Sequence, residues 1–144
     1  MEDSQLRALL ETSKKILVIG LSKDEFKAAH QIPLYMFSHG YAVVGINPTV
    51  ESGSVAGMPV YPSLGNVPAD FAPDILVVFR PSEQAGEAVR LALLQKPPAK
   101  AVWLQLGIKN EQARQLAESA KLAFVQDRCI MKERVRLFGE AGKN

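Results

Sequence analysis

Five short apolar runs constrain this chain more than any other feature. They occupy residues 15–19, 41–46, 74–79 and 100–105, with a weaker one at 122–125. Each is almost continuously apolar rather than alternating. A strand with that pattern has both faces covered, which is the usual situation in a parallel sheet. Helical patterns lie between the runs. Residues 2–12 read as a short leading helix. Residues 33–38, carrying Leu34, Met36 and Phe37, read as a helix that closes near Gly40, a favoured residue just past a helix end. Residues 82–94 put Ala85, Ala88, Val89, Ala92 and Leu93 at helical spacing until Pro97 and Pro98 stop the turn. Asn110 is a good N-cap for a helix over 111–120, with Glu111 in its first turn. Strand–helix alternation of this kind predicts an α/β fold, a doubly wound Rossmann-like domain with a mainly parallel sheet and helices on both faces. One domain is expected over residues 1–144, with its core at about 13–138 and the leading helix before it.

Residues 47–73 have a different character. Pro48, Gly53, Gly57, Pro59, Pro62, Gly65, Pro68 and Pro73 punctuate them, so they read as loop and turn, with Val60 and Tyr61 as a short strand. Composition narrows the function classes. Apolar residues make up 47% and charged residues 22%, which excludes a disordered chain. The formal charge is only +2, too weak a bias for a dedicated nucleic-acid binder. A single cysteine, Cys129, allows no internal disulfide and no cysteine-built metal cage. The first residues are acidic and polar, and no apolar run nears the roughly 20 residues that span a bilayer. The expectation is a cytoplasmic protein without a membrane role.

In a doubly wound sheet the ligand crevice lies at the carboxyl ends of the strands. Gly20, Leu21, Ser22 and Lys23 follow the first run: a glycine for a tight turn, backbone N–H groups that can hold a phosphate, a hydroxyl and a cation. The dinucleotide fingerprint G-x-G-x-x-G is absent, because Ser22 and Glu25 stand where glycines would, and no P-loop G-K-[ST] follows. Asn47, Pro48 and Thr49 follow the second run, where an NAD-binding domain usually carries an acid for the ribose hydroxyls. Glu51 is close in sequence but out in the loop. Val78 and Phe79 end the third run and Arg80 follows, an arginine the core does not need and one suited to a phosphate or carboxylate. Gln105 and Gly107, then Asp127, Arg128 and Cys129, occupy the last two ends.

Groups for catalysis are scarce. His39 beside Gly40 reads as a capping or surface residue. His30 has no evident acid to orient it, so a ligand contact or a packing role is expected. Ser22 has no evident base. Cys129 beside Arg128 reads either as a thiolate-favouring position at a helix start or as a small buried residue. Trp103 sits mid-strand and reads as core. Lys132, Arg134 and Arg136 read as a solvated face.

In order and spacing, several segments resemble the small stand-alone CoA-binding proteins of Rossmann type, whose domain is similar to the N-terminal CoA-binding domain of the succinyl-CoA synthetase alpha subunit. The segments are 18–22, Gly40-Tyr41 leading to Asn47-Pro48, 57–64, 78–80, 103–107 and 127–129, and the match covers about residues 12–138. The resemblance implies that Gly20, Leu21, Ser22, Lys23, Asn47, Pro48 and Thr49 hold the pyrophosphate and adenosine end of coenzyme A or an acyl-CoA. It implies that Val78, Phe79 and Arg80 contact the nucleotide. Gln105, Gly107 and Cys129 complete the expected cofactor-binding set, with no catalytic residue and no metal ligand. Many relatives carry Lys or Arg just after Asn-Pro. Here Thr49 and Val50 stand there, and Lys23 or Lys27 is the nearest substitute. The synthetase works through a phosphorylated histidine in a second domain that these segments do not include. The resemblance therefore implies a ligand-binding protein rather than an enzyme, with a protein partner left open. The competing readings are a small NAD(P)-dependent oxidoreductase and a thiol or redox protein acting through Cys129.

Overall fold

A computed structural model describes residues 1–50 and 53–139. Glu51 lies outside the described residues. The apolar runs form β1 (Lys15–Ile19), β2 (Ala42–Ile46), β5 (Ile75–Val78), β6 (Ala101–Leu104) and β7 (Ala123–Val125). The Pro- and Gly-rich stretch contributes two more strands, β3 (Gly53–Val55) and β4 (Met58–Tyr61). The helices are α1 (Asp3–Thr12), α2 (Ala28–Ser38), α3 (Ala85–Leu94), α4 (Glu111–Ser119) and α5 (Ile130–Phe138).

The sheet runs β3-β4-β2-β1-β5-β6-β7. All neighbours pair in parallel except β3 with β4, which form an antiparallel hairpin at one edge. The chain leaves β1 toward β2 and β4 on one side, then returns to place β5 on the other. The β1/β5 junction is therefore the topological switch point, where a doubly wound sheet opens a crevice.

Alternate residues of each strand divide between two cores. Ile16, Val18, Val43, Ile75, Val77 and Trp103 face α1, α2 and α5. Leu17, Val44, Leu76, Val78, Val102 and Leu104 face α3 and α4. This two-sided burial is why the runs carry no polar alternation. Alanines at 85, 88, 92, 113 and 117 form the inner faces of α3 and α4, letting those helices lie close to the sheet. Trp103 is wholly buried, and its indole N–H donates to the Arg128 carbonyl at 2.8 Å.

Three readings need correction. The first helix after β1 starts at Ala28 rather than at Pro33, which lies inside it. The segment between β2 and β5 holds the β3–β4 hairpin, with Met58 and Val60 buried, so it is more than loop. Arg134 does not belong to a solvated face: it is 6% exposed, on the inner side of α5. Its Nε donates to the Tyr41 hydroxyl at 3.4 Å, and its guanidinium lies 5.2 Å from the Phe138 ring centre. Tyr41 in turn donates to the Leu10 carbonyl at 2.6 Å, so α1, β2 and α5 meet through these two side chains. Burial raises the Tyr41 phenol above its ordinary value against the opposing pull of Arg134. Arg136 does reach solvent, where it forks onto Asp3 of α1 at 2.9 Å for both contacts and holds that carboxyl below its ordinary value.

Candidate functional site

The first wall of the switch-point crevice is the loop from β1 to α2. Gly20 has φ +97°, a left-handed conformation that side chains disfavour. A Cβ there would also lie 3.4 Å from the Phe79 Cβ and 3.5 Å from the Arg80 Nε. Glycine thus lets the turn close and lets the β5 end approach it. Leu21 is wholly buried, packed onto Gly45 of β2, so it anchors the loop rather than facing a ligand.

Pro33 explains how the rest of the loop is held. An α-helical residue normally donates its N–H to the carbonyl four residues earlier. Proline has no N–H, so the Ala29 carbonyl is left free. The Ser22 N–H donates to that carbonyl at 3.1 Å. The buried His30 side chain completes the tether: its Nδ1 lies 2.9 Å from the Ser22 carbonyl and must donate there. Ser22 Oγ accepts from the Asp24 N–H at 3.0 Å, which leaves the hydroxyl proton available. The Gly20 N–H is engaged by the Ile46 carbonyl at 2.9 Å. Among the described residues, the N–H groups of Leu21 and Lys23 have no acceptor. Leu21 is wholly buried, so the loop presents one backbone donor, that of Lys23, with the Ser22 hydroxyl and the exposed Lys23 ammonium. That combination suits an anion.

The β2 end forms the second wall. Asn47 Nδ2 donates to the Leu21 carbonyl at 2.8 Å, and its Oδ1 accepts from both the N–H and the hydroxyl of Thr49, each at 2.8 Å. Asn47 therefore ties β2 to the β1–α2 loop and orders Thr49, while Pro48 is exposed. The third wall is the β5 end, where Val78 is buried and Phe79 and Arg80 are half-buried. From this junction a cleft of about 740 Å³ runs outward between α3 and α4. Ile19, Pro48, Val78 and Arg80 line its inner part, and Glu83, in the 3-10 turn before α3, and Glu87 of α3 line it further out, with Gln84, Asn110 and Gln112.

Gln105, Gly107 and Cys129 gather at the ends of β6 and β7, one strand beyond the junction. Their polar groups serve the fold. Gln105 is buried, and its Oε1 accepts from the Ile130 N–H at 3.0 Å, capping α5. The Gly107 N–H donates to Asp127 Oδ1 at 2.7 Å. Cys129 is buried at the N-cap of α5. The structure brings together Gly20, Leu21, Ser22, Lys23, Asn47, Pro48, Thr49, Val78, Phe79 and Arg80; Gln105 lies beside Val78, donating its N–H to the Val78 carbonyl at 3.2 Å, and Gly107 and Cys129 follow the ends of β6 and β7. Sequence reading missed Gly45, the free Ala29 carbonyl, and the cleft rim at Glu83 and Glu87. Only the mid-helix Pro33 carried a signal for the second of these. His39 caps α2 with Nδ1 2.8 Å from the Tyr35 carbonyl, its ring stacked 4.0 Å from that of Tyr35. The described residues contain no group of three His, Cys, Asp or Glu side chains placed to hold a metal, and no helix long and apolar enough to cross a membrane.

Known proteins are similar to this chain in sequence and in fold. The chain is 31% identical over 127 residues to the uncharacterized protein YneT of Bacillus subtilis, covering 88% of this chain and 90% of that one. It is 35% identical to the solved protein ID.343 of Thermus thermophilus, with a TM-score of 0.86 over 96% of this chain and all of the other. A hypothetical protein of Pyrococcus horikoshii OT3 is 32% identical, with a TM-score of 0.86 over 96% of this chain and 94% of its own. The model of the CoA binding domain matches residues 14–134, a span that contains the anion-ready loop, the Asn47 tie and the β5 end, and the chain belongs to that family.

Proposed function

We propose that this protein binds coenzyme A or an acyl-CoA across the β1/β5 switch point and performs no ligase chemistry of its own. One observation carries the reading: in a member of the CoA binding domain family, the β1–α2 loop holds the Lys23 N–H, the Ser22 hydroxyl and the exposed Lys23 ammonium at the switch point, beside Arg80. A pyrophosphate there would accept from the loop and meet two cations. The nucleoside end would extend past Val78 and Arg80 into the cleft. Gly20 lets the ligand approach the backbone, and Pro33 and His30 hold the loop in place without taking part in any reaction.

The same geometry disfavours a dinucleotide oxidoreductase. The β2 end offers an amide, Asn47, whose oxygen already accepts two hydrogen bonds, where a ribose-binding acid would stand. Both histidines serve the fold through Nδ1, His30 by tethering the β1–α2 loop and His39 by capping α2, and His30 is buried. Calorimetric titration of the purified protein with CoA, NAD, NADP and ATP in parallel tests the proposal. CoA should bind in preference to the other three. Tight NAD binding without CoA binding would overturn it. Incubation with labelled ATP, succinate and CoA should yield neither phosphoprotein nor succinyl-CoA. A stable phosphohistidine at His30 or His39 would overturn the non-ligase part.

A further inference from the structure

The sheet edge opposite the crevice is built differently. β1, β2, β5 and β6 run parallel, so Lys15, Ala42, Asp74 and Lys100 lie along one amino edge. On the α3/α4 side of this edge no helix covers β2. The connection from β4 to β5 crosses there as two 3-10 turns, Leu64–Asn66 and Ala69–Phe71. Pairing of β4 with β2 also stops early. In register, the Val43 carbonyl would accept from the N–H of residue 59, which is proline. Two apolar grooves open at this place, of about 440 and 310 Å³, one on each side of Pro68 and Phe71. Val44 and Tyr61 line the larger, and Leu64, Val67 and the 70% exposed Leu94 line the smaller. Each groove has its own lysine, Lys15 in the larger and Lys96 in the smaller. Among the described residues, neither ammonium has a carboxylate within ion-pair distance. Asp74 cannot serve them fully, because its Oδ2 already accepts from the Lys14 and Lys15 N–H groups at 2.7 and 3.0 Å. Asp70 stands in the larger groove.

We infer that these joined grooves dock an acidic, apolar segment of a partner protein. Its apolar side chains sit on either side of Pro68 and Phe71, and its carboxylates pair with Lys15 and Lys96. The charges choose this occupant. Lysines without partners call for anionic groups, and the apolar floors call for apolar side chains beside them. A nucleic acid lays down an unbroken run of phosphates, which Asp70 repels. A bilayer is entered by apolar groups that project from the surface, whereas these lie in concavities. A polypeptide can space carboxylates around apolar anchors, and anchors seated in pockets carry most of the energy of such interfaces. The grooves lie across the sheet from the crevice, so the inference does not rest on the CoA reading.

The test selects a displayed library of random peptides on the wild type, against Lys15→Gln, Lys96→Glu and Leu94→Asp as counter-selections. Circular dichroism and melting confirm that each variant is folded. Enriched sequences should carry Asp or Glu flanking apolar residues. The consensus peptide, labelled and titrated by fluorescence anisotropy, should bind the wild type and weaken as salt is added. Lys15→Gln and Lys96→Glu should each weaken it by about two- to tenfold, as expected for exposed ion pairs. Leu94→Asp should weaken it as well, by removing an apolar wall and repelling the carboxylates. Selection that enriches nothing over the variants, a consensus without acidic residues, or equal binding to all the variants would overturn the inference. So would tighter binding of duplex DNA, or of phosphatidylserine vesicles, than of the peptide. A wild-type dimer in sedimentation that Lys96→Glu dissolves would assign the grooves to a second copy of this chain and would overturn it too.

Discussion

Replacing Gly45 with alanine should reach the anion-ready loop from inside the sheet. A Cβ on residue 45 would lie 2.6 Å from Leu21 Cδ1, 2.7 Å from Leu21 Cβ and 3.0 Å from Leu21 Cγ. Carbon atoms pack favourably at roughly 3.5–4.0 Å, so the contacts are short by about 1 Å. A rotamer change can withdraw Cγ and Cδ1, but Cβ rides on the backbone, and Leu21 is wholly buried with no room to turn. Either β2 or the loop must move. Overpacking of this kind costs about 1–3 kcal/mol. For a domain of this size each kcal/mol lowers the melting temperature by roughly 2–4 °C, so Gly45→Ala should melt about 2–12 °C lower. The loop is the softer of the two neighbours, being anchored mainly through Ser22 and the Leu21 carbonyl. Its displacement by about 1 Å should weaken CoA by about tenfold, since misplacement of that size spoils several donors at once. Thermal melts and a CoA titration well below the melt are the assays. Val102→Ala, a cavity on the opposite sheet face in β6, controls for destabilisation that leaves the loop alone. An unchanged melt for Gly45→Ala would refute the packing argument. A lowered melt with wild-type CoA affinity would refute the coupling from Gly45 through Leu21 to the loop.

Other outcomes follow from the same geometry. Lys23→Ala should weaken CoA by about tenfold or more, given the 1.5–3 kcal/mol typical of charge-assisted bonds, and Ser22→Ala should cost less, near 1 kcal/mol. Titration of both at fixed salt checks this, and a Lys23→Ala variant that binds like wild type would shift attention to Lys27, Arg80 and Arg128. Pro33→Ala restores a backbone N–H that competes with Ser22 for the Ala29 carbonyl. It should leave α2 at least as stable, by melting, while weakening CoA; unchanged affinity would refute the tether. Arg134→Ala should destabilise by about 2–4 kcal/mol in urea titrations, and Arg134→Met by much less, because the stem packing survives. If the two variants are equal, the guanidinium itself carries the effect. Tyr41 has a folded pKa raised above 10.0 by burial, so its contribution is fully present below that pH and is lost as pH rises through the folded value. Tyr41→Phe should therefore flatten the alkaline limb of a stability–pH curve.

Some of this molecule was legible in the residues alone. The apolar runs at 15–19, 74–79 and 100–105 had to be strands covered on both faces, because a one-sided strand would alternate. Asn110 had to begin a helix, and its Oδ1 does accept from the Ala113 N–H at 2.8 Å. With strands and helices alternating, the carboxyl ends of the strands became the place to look for a ligand, and Gly20, Asn47 and Arg80 stood out there on residue type.

The tertiary structure decided the rest, because it depends on contacts between residues far apart in sequence. Pro33 read as a helix start because proline is favoured there; five residues of helix precede it, and the carbonyl it leaves free is used by Ser22. The short strand at Val60 and Tyr61 was readable, but its antiparallel partner β3 carries too few apolar residues to announce itself, and β4 adds to the parallel edge of β2. Arg134 read as surface because a cation every second residue usually faces water. It is inside because Tyr41 and the Phe138 ring surround it without any carboxylate at a readable spacing. Gln105 and Cys129 looked like crevice residues from their place at strand ends, but the position of α5 turned Gln105 into its cap and buried the thiol beneath it. Local pattern determined which segments fold into which elements, since periodicity and capping act within a few residues. Which strand ends meet, and therefore which polar groups remain free for a ligand, was determined by strand order, a property no local pattern carries.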